Sequence, residues 1–310
     1  MENELVSAII TTHNRAPGIV LRAVNSVLNQ SYENMELIVV DDSDHNYPNR
    51  NEVEKAVTAA SSDVKYVKHK ECIGACAARN AGLSISAGNY VAFLDDDDEW
   101  APTKIEEQMK GFTDADVAVV YCGCLDIDEI QGYKAVRRVL FQKGDMFSSL
   151  LKSNYIGGTS NPLIRKECIV DVGGFDVEMQ SAQDFDLWVR MAKKYKINYV
   201  EKALVNHFIH AGERISNDTD KKIAGLERIN SKYSEYIDID NDIWYSRHII
   251  LVPYYIRKGW KKKAWFIWFQ CAQKRPLYIR ENLRQLLSLV FSGERYRRLR
   301  YSVKNLVRRW

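Results

Sequence analysis

Short runs of apolar residues alternate with amphipathic segments along the first 125 residues of the chain. The runs are nearly continuous in apolar residues, as expected for strands that are buried on both faces of a sheet. They predict strands over 6–12, 36–42, 64–69, 90–95 and 117–122. The segments between them have apolar residues at helical spacing and predict helices over 17–30, 51–60, 74–88 and 102–112. This alternation predicts an α/β fold with a mainly parallel central sheet flanked by helices.

The pattern becomes irregular after about residue 125 and is clear again in a helix predicted over 181–195. Apolar residues recur there at i, i+3, i+4 and i+7, namely at Phe185, Trp188, Val189 and Ala192. From about residue 221 onward the spacing is helical. We therefore predict two parts, an α/β domain over residues 1–220 and a helical region over residues 221–310.

The net charge of +3 hides an uneven distribution along the chain. Residues 251–310 contain 16 Lys and Arg against two acidic residues, a net charge of +14, whereas residues 1–250 carry −11. Such an asymmetry indicates that the two regions contact different partners.

Several classes of protein are disfavoured by the sequence. The turn after the first predicted strand, "TTHNRAPG", lacks the glycine-rich pattern of dinucleotide-binding proteins, and the chain has no P-loop motif. The six cysteines do not have the paired spacing of a zinc site. No signal peptide and no run of about 20 apolar residues is visible, so a reducing cytoplasm is the expected compartment.

Acidic residues follow two of the predicted strands. Asp41 and Asp42 end "ELIVVDD", and Asp95 to Asp98 end "VAFLDDDD". Because four adjacent carboxylates repel one another, the second run is either a solvated acidic turn or a site for a cation. Mg²⁺ and Mn²⁺ commonly bind one or two carboxylates together with the phosphates of a substrate. Ligands of parallel sheets bind at the carboxyl ends of strands, where both acidic runs lie.

Over about residues 4–215 the sequence resembles the family 2 glycosyltransferases, which have the GT-A fold and invert the configuration of the transferred sugar. The resemblance depends on several motifs in the family's order: "SAIITTHNR", "SVLNQSYENMELIVVDDSD", "GACAARNAGLSISAGNYVAFLDDDDEW", "SAQDFDLW" and "HAGERIS". It implies a nucleotide-sugar donor, with a UDP-sugar favoured, and a transfer to a hydroxyl group.

The resemblance also implies a set of donor-binding residues at the strand ends. It comprises Thr11, His13, Arg15, Asp41, Asp42, Arg79, Asp95 and Asp96. The "DDDD" run looks like the family's D-x-D motif with one extra acid, so that Asp97 would bind Mn²⁺ or Mg²⁺ and Asp98 would support it. His210 stands where the family often has a histidine near the metal, and His207 is interpreted as structural.

An inverting transfer needs a general base to accept the proton of the acceptor hydroxyl. "SAQDFDLW" resembles the family's acidic motif before a helix, but Gln183 stands where the family usually has Glu. Asp184 is therefore the expected base, and Asp186 is the second candidate. Taken alone, both acids are better explained as favourable charges at the start of a helix, and only the resemblance favours the role of a base.

The basic C-terminal region combines aromatic residues with Lys and Arg over 257–310. Leu283, Leu286, Leu287, Val290 and Phe291 form one helical stripe, and Val303, Leu306, Val307 and Trp310 form another. Basic amphipathic helices of this kind suit an anionic membrane surface. Packing of the stripes on the main domain is the structural alternative, and nucleic-acid binding is not expected without a recognised module.

Together these observations predict a bacterial surface-polysaccharide glycosyltransferase. It would act on a lipid-linked or growing glycan at the inner face of the cytoplasmic membrane, as a peripheral protein that forms a homo-oligomer if the basic region supplies a dimer contact. Two alternatives stay open at this point. One is a sugar nucleotidyltransferase, whose first turn would be glycine-rich, and the other is a non-enzymatic adaptor bound to the membrane.

Overall fold

A computed structural model describes residues 4–137, 140–209 and 218–290. The strands in these residues are β1 (Val6–Thr12), β2 (Met35–Asp41), β3 (Lys65–Lys68), β4 (Tyr90–Asp95), β5 (Asp98–Trp100), β6 (Val117–Asp128), β7 (Tyr133–Val136), β8 (Leu163–Arg165) and β9 (Lys196–Ile209). The helices that precede β9 are α1 (Pro17–Leu28), α2 (Arg50–Ala60), α3 (Ala75–Ile85), α4 (Lys104–Met109), α5 (Phe147–Lys152), α6 (Lys166–Asp171) and α7 (Gln183–Lys194). The helices that follow it are α8 (Thr219–Lys232), α9 (Ser234–Ile237), α10 (Asn241–Ile249), α11 (Val252–Arg257), α12 (Lys261–Lys274) and α13 (Ile279–Val290).

All nine strands of the described residues belong to one sheet, with β7 paired to β6 beside the main order β3-β2-β1-β4-β8-β6-β9-β5. The pairs β3-β2, β2-β1 and β1-β4 are parallel, as the apolar runs predict. Beyond β4 the sheet is mixed, since β8 is antiparallel to both of its neighbours and β6 is parallel to β9. The predicted fold class is thus confirmed, and the continuous parallel part of the sheet is β3-β2-β1-β4.

The strand register brings the acidic strand ends together. Thr12 of β1 lies opposite Asp41 of β2, and Thr11 lies opposite Asp95 of β4. Because β1, β2 and β4 are parallel, their carboxyl ends meet at one edge of the sheet. The side chains of the two acidic motifs therefore lie at the same edge.

The predicted acidic turn is shorter than the sequence suggests, because Asp98–Trp100 forms strand β5. β5 pairs antiparallel with β9, which places Asp98 opposite His207. Trp100 is 2% exposed and donates its indole N–H to the carbonyl oxygen of Ser160 over 3.0 Å. The turn is anchored on one side by β4 and on the other by a buried tryptophan.

Lys104, at the start of α4, is a cation within the core. It is fully buried, and its ammonium lies 4.2 Å from the ring centre of Trp100. Within the described residues its Nζ has no hydrogen-bond partner. Burial lowers the pKa of Lys104 to about 8. The ring face of Trp100 only partly replaces the hydration that the charge loses.

Replacing Lys104 with Met is expected to stabilise the fold at pH 7 by roughly 1–3 kcal/mol. The unfolded state binds more protons than the folded state between pH 8 and the ordinary lysine pKa of 10.5, so the stability of the unchanged chain rises with pH in that window. The advantage of Lys104→Met should therefore shrink between pH 7 and pH 10. Urea unfolding at both pH values measures it, and an advantage that does not depend on pH would contradict this account.

The chain divides into two compact units. One contains most of residues 4–209, including the whole sheet, and the other contains Leu151–Ser153, Gln180–Ala182 and the described residues from 218 onward. That residues 1–220 form a catalytic domain separate from 221–310 stays a prediction. Among the described residues, no helix combines the length and hydropathy that spanning a membrane requires.

The second unit contains a helix whose polar side faces inward. On α13 the buried residues are Asn282 and Gln285, whereas Leu283 and Val290 of the predicted apolar stripe are exposed. Asn282 accepts a hydrogen bond from the Tyr245 hydroxyl over 2.9 Å and donates to the carbonyl oxygen of Arg275 over 3.0 Å. Leu286 and Leu287 of the same stripe are half-buried, and Phe291, like the stripe predicted over 303–310, lies outside the described residues, so both the membrane-binding prediction and the packed alternative stay predictions.

Candidate active site

The proposed donor-binding residues lie at the edge where β1, β2 and β4 end. Thr11 is at the end of β1, and His13 and Arg15 follow in the next turn. His13 contacts the carbonyl oxygen of Asp42 through Nδ1 at 2.9 Å, so the turn after β1 touches the residue after β2. Asn14 has a left-handed backbone with φ of 49° and is held by hydrogen bonds with Ser43 and Asp44. The two strand ends thus form one connected surface.

Asp96 is the buried member of the acidic turn. It is 5% exposed, and it accepts hydrogen bonds from Thr12 Oγ1 at 2.8 Å and from Arg15 Nε at 3.0 Å. Burial, partly offset by Arg15, raises the pKa of Asp96 to about 6. Arg15 also reaches Asp97 through Nη2 at 3.4 Å. Asp96 is therefore placed to hold the guanidinium of Arg15 beside the more accessible Asp97.

Asp95 is connected to the start of α7 through Arg79. The guanidinium of Arg79 donates to Asp95 Oδ1 over 2.8 Å and to Gln183 Oε1 over 3.0 Å. Arg79 comes from α3, so three separate elements meet at this side chain. The neutral Gln183 accepts one hydrogen bond from Arg79 and leaves the ion pair to Asp95.

A loop that the sequence did not single out holds the acidic turn from the other side. Thr159 donates to Asp95 Oδ1 over 2.9 Å, and Ser160 donates to Asp98 Oδ2 over 2.6 Å. The backbone N–H of Asp95 in turn donates to the Ser160 hydroxyl over 3.1 Å. "GGTSN" at 157–161 has no charge and no family signature noted above, so only the folded chain shows this role.

Asp42 anchors the segment that follows β3. Its Oδ1 accepts a hydrogen bond from the backbone N–H of Ile73 at 2.9 Å, and its Oδ2 accepts one from the backbone N–H of Gly74 at 2.8 Å. His69 donates through Nδ1 over 2.8 Å. Asp42 is 3% exposed, so it holds this segment in place and presents little of its own surface.

Asp41 lies one layer deeper than Asp42. It is 1% exposed and accepts from the backbone N–H of Ser43, from Arg50 Nε and from the Tyr66 hydroxyl, at 2.9, 2.9 and 3.0 Å. Burial raises its pKa, but these hydrogen bonds outweigh burial and hold the pKa of Asp41 below its usual value. The carboxylate of Asp41 is thus occupied by hydrogen bonds within the protein.

The two candidate bases differ in environment. Asp186 is fully buried and forms an ion pair with Arg190 at 2.8 Å, one turn along α7. Asp184 is half-buried, in the first turn of α7, and accepts a weak hydrogen bond from Asn154 over 3.4 Å. Ala182, just before the helix, has a left-handed backbone with φ of 57°. Of the two acids, Asp184 is the accessible one.

The two candidate histidines are His207 on β9 and His210 in the segment after it. His207 contacts Asp126 Oδ1 at 2.9 Å and Arg137 Nη2 at 3.0 Å, which joins β9 to β6 and to the residue after β7 and agrees with a structural role. His210, with the rest of "HAGERIS", lies outside the described residues.

The oxygen ligands of the acidic turn fit a hard cation only in partnership with a substrate. Among the described residues, the one group of three or more potential ligands that converge is His13, Asp42 and Cys72, and the acidic turn is not part of it. Mg²⁺ and Mn²⁺ need just one or two carboxylates when a diphosphate completes the coordination. The side chains of Asp95 and Asp97 are 36% and 16% exposed, so both reach the surface that a diphosphate would approach.

Comparison with known proteins agrees with this geometry. Residues 7–169 match the model of the glycosyl transferase family 2. A protein of Escherichia coli K12 that bears the name colanic acid biosynthesis glycosyl transferase WcaA is 30% identical over 248 residues, which cover 76% of this chain and 84% of the relative. The UDP-Glc:alpha-D-GlcNAc-diphosphoundecaprenol beta-1,3-glucosyltransferase WfaP of Escherichia coli is 40% identical over 108 residues, 34% of this chain and 40% of that protein.

A solved structure supports the fold. The crystal structure of S. aureus TarS 1-349 in complex with UDP-GlcNAc has a TM-score of 0.54 and 18% identity, and the match covers 73% of this chain and 65% of that chain. The likeness shows the α/β GT-A fold. Since the family model spans more than half of the chain, and a relative of similar length agrees, this protein is a transferase enzyme that belongs to the family 2 glycosyltransferases.

Proposed function

We propose that the enzyme transfers a sugar, with inversion, from a UDP-sugar to a hydroxyl group of a lipid-linked or growing surface glycan. One observation carries the proposal. Arg79 joins Asp95 of the acidic turn to Gln183, the neighbour of the candidate base Asp184. A diphosphate bound at the acidic turn would therefore lie beside a carboxylate able to accept a proton.

The donor would be held at the carboxyl edge of β1, β2 and β4. Thr11, His13 and Asp42 would face the nucleoside, and Arg15 and Arg79 would balance the charge of the diphosphate. TarS, with the same fold, is known in complex with UDP-GlcNAc, and WfaP is named for a UDP-linked donor, which favours uridine. In this proposal Asp41 acts through Ser43, Arg50 and Tyr66, and Asp96 acts through Arg15.

Asp97, with Asp95 beside it, would hold a Mn²⁺ or Mg²⁺ ion, and the predicted further ligand is His210. When bound, the ion would supply positive charge that stabilises the departing nucleoside diphosphate. Asp96 and Asp98 would support the turn from within, since each is buried and receives a hydrogen bond from Thr12 or from Ser160.

The transfer step balances with these groups. The acceptor oxygen forms a bond to the anomeric carbon while its proton passes to Asp184, and the bond between that carbon and the phosphate oxygen breaks. The electron pair leaves with UDP, whose charge Arg79 and Arg15 face. Asp186 is a poor alternative because its carboxylate is fully buried and already forms an ion pair with Arg190.

The names of two relatives support the proposed acceptor. WcaA is named for colanic acid biosynthesis and WfaP for a diphosphoundecaprenol acceptor, so a polyprenyl-linked surface glycan is the favoured substrate. In this proposal the enzyme meets its acceptor at the inner face of the cytoplasmic membrane, as a peripheral protein.

The second unit offers surfaces that fit such a membrane. On α12 the buried residues Ala264 and Cys271 lie on one side, whereas Trp265, Phe266 and Phe269 are exposed on another. Exposed aromatic residues beside Lys and Arg are typical of helices that lie in the interface of an anionic bilayer. The exposed side chains of Leu283 and Val290 on α13 add to the apolar surface of the same unit.

The double substitution Phe266→Ser and Phe269→Ser is expected to weaken binding to vesicles that contain phosphatidylglycerol by about tenfold or more, since each ring would lose part of about 1.5–3 kcal/mol of burial. A matched control is Ile130→Ser with Val177→Ser, which removes two equally exposed apolar residues of the first unit. Sedimentation with vesicles measures both. Equal binding by the two variants and the unchanged chain would rule out insertion of α12.

The proposed activity is tested by incubating the enzyme with a panel of UDP-sugars and a polyprenyl-diphosphate-linked sugar. We expect release of UDP that requires the acceptor and a divalent cation. A sugar nucleotidyltransferase would release pyrophosphate from a nucleoside triphosphate instead, and neither that alternative nor the adaptor agrees with the family to which the chain belongs.

A further inference from the structure

Three potential metal ligands meet at the ends of the first three strands. His13 follows β1, Asp42 follows β2, and Cys72 lies in the segment after β3. One ligand atom of each lies within 4.8 Å of the others. Among the six cysteines, Cys72 is the exposed one, so a metal ion can reach its sulfur from solvent.

The distances within this group suit a small tetrahedral ion. Cys72 Sγ lies 3.4 Å from Asp42 Oδ2 and 3.7 Å from His13 Nδ1. Zinc bonds of about 2.0–2.3 Å at tetrahedral angles place neighbouring ligand atoms about 3.4–3.6 Å apart. The two distances from the sulfur are thus already close to those that zinc requires. His13 is exposed and lies in the turn after β1, which leaves its ring room to adjust.

Asp42 is oriented by neighbours in the manner of a metal-binding carboxylate. His69 and the N–H groups of Ile73 and Gly74 donate to it, at 2.8, 2.9 and 2.8 Å, and fix the carboxylate. Hydrogen bonds of this kind commonly support the ligands of protein metal sites. The thiol of Cys72 also points at this carboxylate, where it donates its proton in the metal-free protein.

The chemistry of this group differs from that of the acidic turn. A thiolate and an imidazole favour Zn²⁺ over Mg²⁺ or Mn²⁺, which prefer carboxylate and phosphate oxygens. Burial and the nearby Asp42 raise the pKa of the Cys72 thiol, so the free thiol stays protonated at neutral pH. Binding of Zn²⁺ forms a zinc–sulfur bond, breaks the S–H bond and releases the proton to water. Nδ1 of His13 donates to the carbonyl oxygen of Asp42 in the metal-free protein, so zinc binding there also breaks this hydrogen bond and moves the imidazole proton to Nε2.

We propose that His13, Asp42 and Cys72 form an inhibitory site for Zn²⁺ within the nucleoside end of the donor pocket. The inhibitory consequence depends on the proposed function, because it requires that His13 and Asp42 contact the donor. A zinc ion bound there occupies both residues and excludes the nucleoside. Donor binding then weakens in proportion to the zinc that is bound, while the acidic turn keeps its own cation.

Direct metal binding is measured with Co²⁺ as a spectroscopic substitute for zinc, on the full chain under reducing conditions and without nucleotide. We expect a thiolate-to-cobalt charge-transfer band that saturates at one Co²⁺ per chain and is displaced by Zn²⁺. Cys72→Ser should lack the band, with affinity for Zn²⁺ lower by more than about 100-fold. His45→Gln, which removes an exposed histidine outside the group, should keep it. Absence of the band from the unchanged chain, or its persistence in Cys72→Ser, would overturn the site.

The inhibitory role is measured separately by titration with UDP in a fixed concentration of Mn²⁺. At a zinc concentration ten times its dissociation constant, competition should weaken UDP binding by about tenfold. Cys72→Ser should bind UDP as the unchanged chain does and resist zinc. If zinc binds but leaves UDP affinity unchanged, the inhibition is refuted. If UDP fails to bind even without zinc, the proposed donor is refuted while the cobalt result still decides the metal site.

Discussion

Replacing Asp184 with Asn is expected to abolish glycosyl transfer while leaving donor binding intact. Asn keeps the size of the side chain and can still contact Asn154, but it does not accept a proton from the acceptor hydroxyl. General-base catalysis contributes roughly 10²–10⁴-fold to the rate of such reactions, and kcat should fall by that factor. Because Asp184 lies beside Gln183 and not on Asp95 itself, the dissociation constant for UDP should change little.

The appropriate control is Asp116→Asn, which neutralises an exposed acid that pairs with Lys196 on the surface. It should transfer sugar at the normal rate. Near-normal transfer by Asp184→Asn would exclude this residue as the base. Asp186 would then have to be tested, although its removal leaves Arg190 without its ion-pair partner and is expected to destabilise α7.

Replacing Asp97 with Asn is expected to remove the effect of Mn²⁺ on donor binding. The amide is a weaker ligand for a hard cation than the carboxylate, and the site has few other protein ligands. Loss of groups that merely support metal ligands costs 10–100-fold in affinity, so the metal-dependent gain in UDP affinity should fall by at least that much. Calorimetric titration with UDP, with and without Mn²⁺, measures the gain.

Glu99→Gln is the matched control for Asp97→Asn, because it removes an acid two residues further on. Glu99 accepts a hydrogen bond from Asn206 over 3.3 Å, which Gln can also accept. This variant should retain the metal-dependent gain in UDP affinity. An unchanged gain in Asp97→Asn, or an equal loss in both variants, would show that Asp97 is not the ligand.

The first half of the sheet could be predicted because its strands are buried on both faces. Burial imposes nearly continuous apolar runs such as "YVAFLD", and the alternation with helices then sets the parallel order. The carboxyl ends of those strands identify the edge at which Asp42 and Asp95 lie. The local pattern is sufficient for this prediction, because the ends of parallel strands can be identified without knowing the contacts between distant residues.

The second half depends on contacts between residues that are far apart in sequence. β5 and β9 pair across more than 100 residues, and Ser160 reaches Asp98 from a loop of uncharged residues. Nothing local in "GGTSN" distinguishes it from an ordinary turn. The link from Asp95 through Arg79 to Gln183 is equally non-local, with Gln183 104 residues after Arg79.

Helix α13 shows a different limit of the sequence. Its leucine spacing correctly predicts a helix, and the usual inference would place the leucines inward. The folded chain buries Asn282 and Gln285 and leaves Leu283 exposed, because the side chain of Asn282 accepts from the Tyr245 hydroxyl and its carbonyl oxygen accepts from the Trp268 indole. Periodicity identifies the stripe, but the side of the helix that is buried depends on hydrogen bonds between residues that are far apart in sequence.

Gln183 explains how the site tolerates a departure from the family pattern. Arg79 has Asp95 as its ionic partner, and the amide oxygen of Gln183 needs only to accept one further hydrogen bond. A glutamate here would compete with Asp95 for the same guanidinium. The residue next to Asp184 is thus neutral, whereas a glutamate there would add one negative charge.

The measurement that tests the central claim most directly is a calorimetric titration of the purified enzyme with UDP, with and without Mn²⁺. Binding of one UDP per chain that strengthens when Mn²⁺ is present would place a diphosphate at the acidic turn, as the account predicts. Absence of binding in both conditions, repeated with GDP and dTDP, would contradict the assignment of this strand edge as a nucleotide-sugar site.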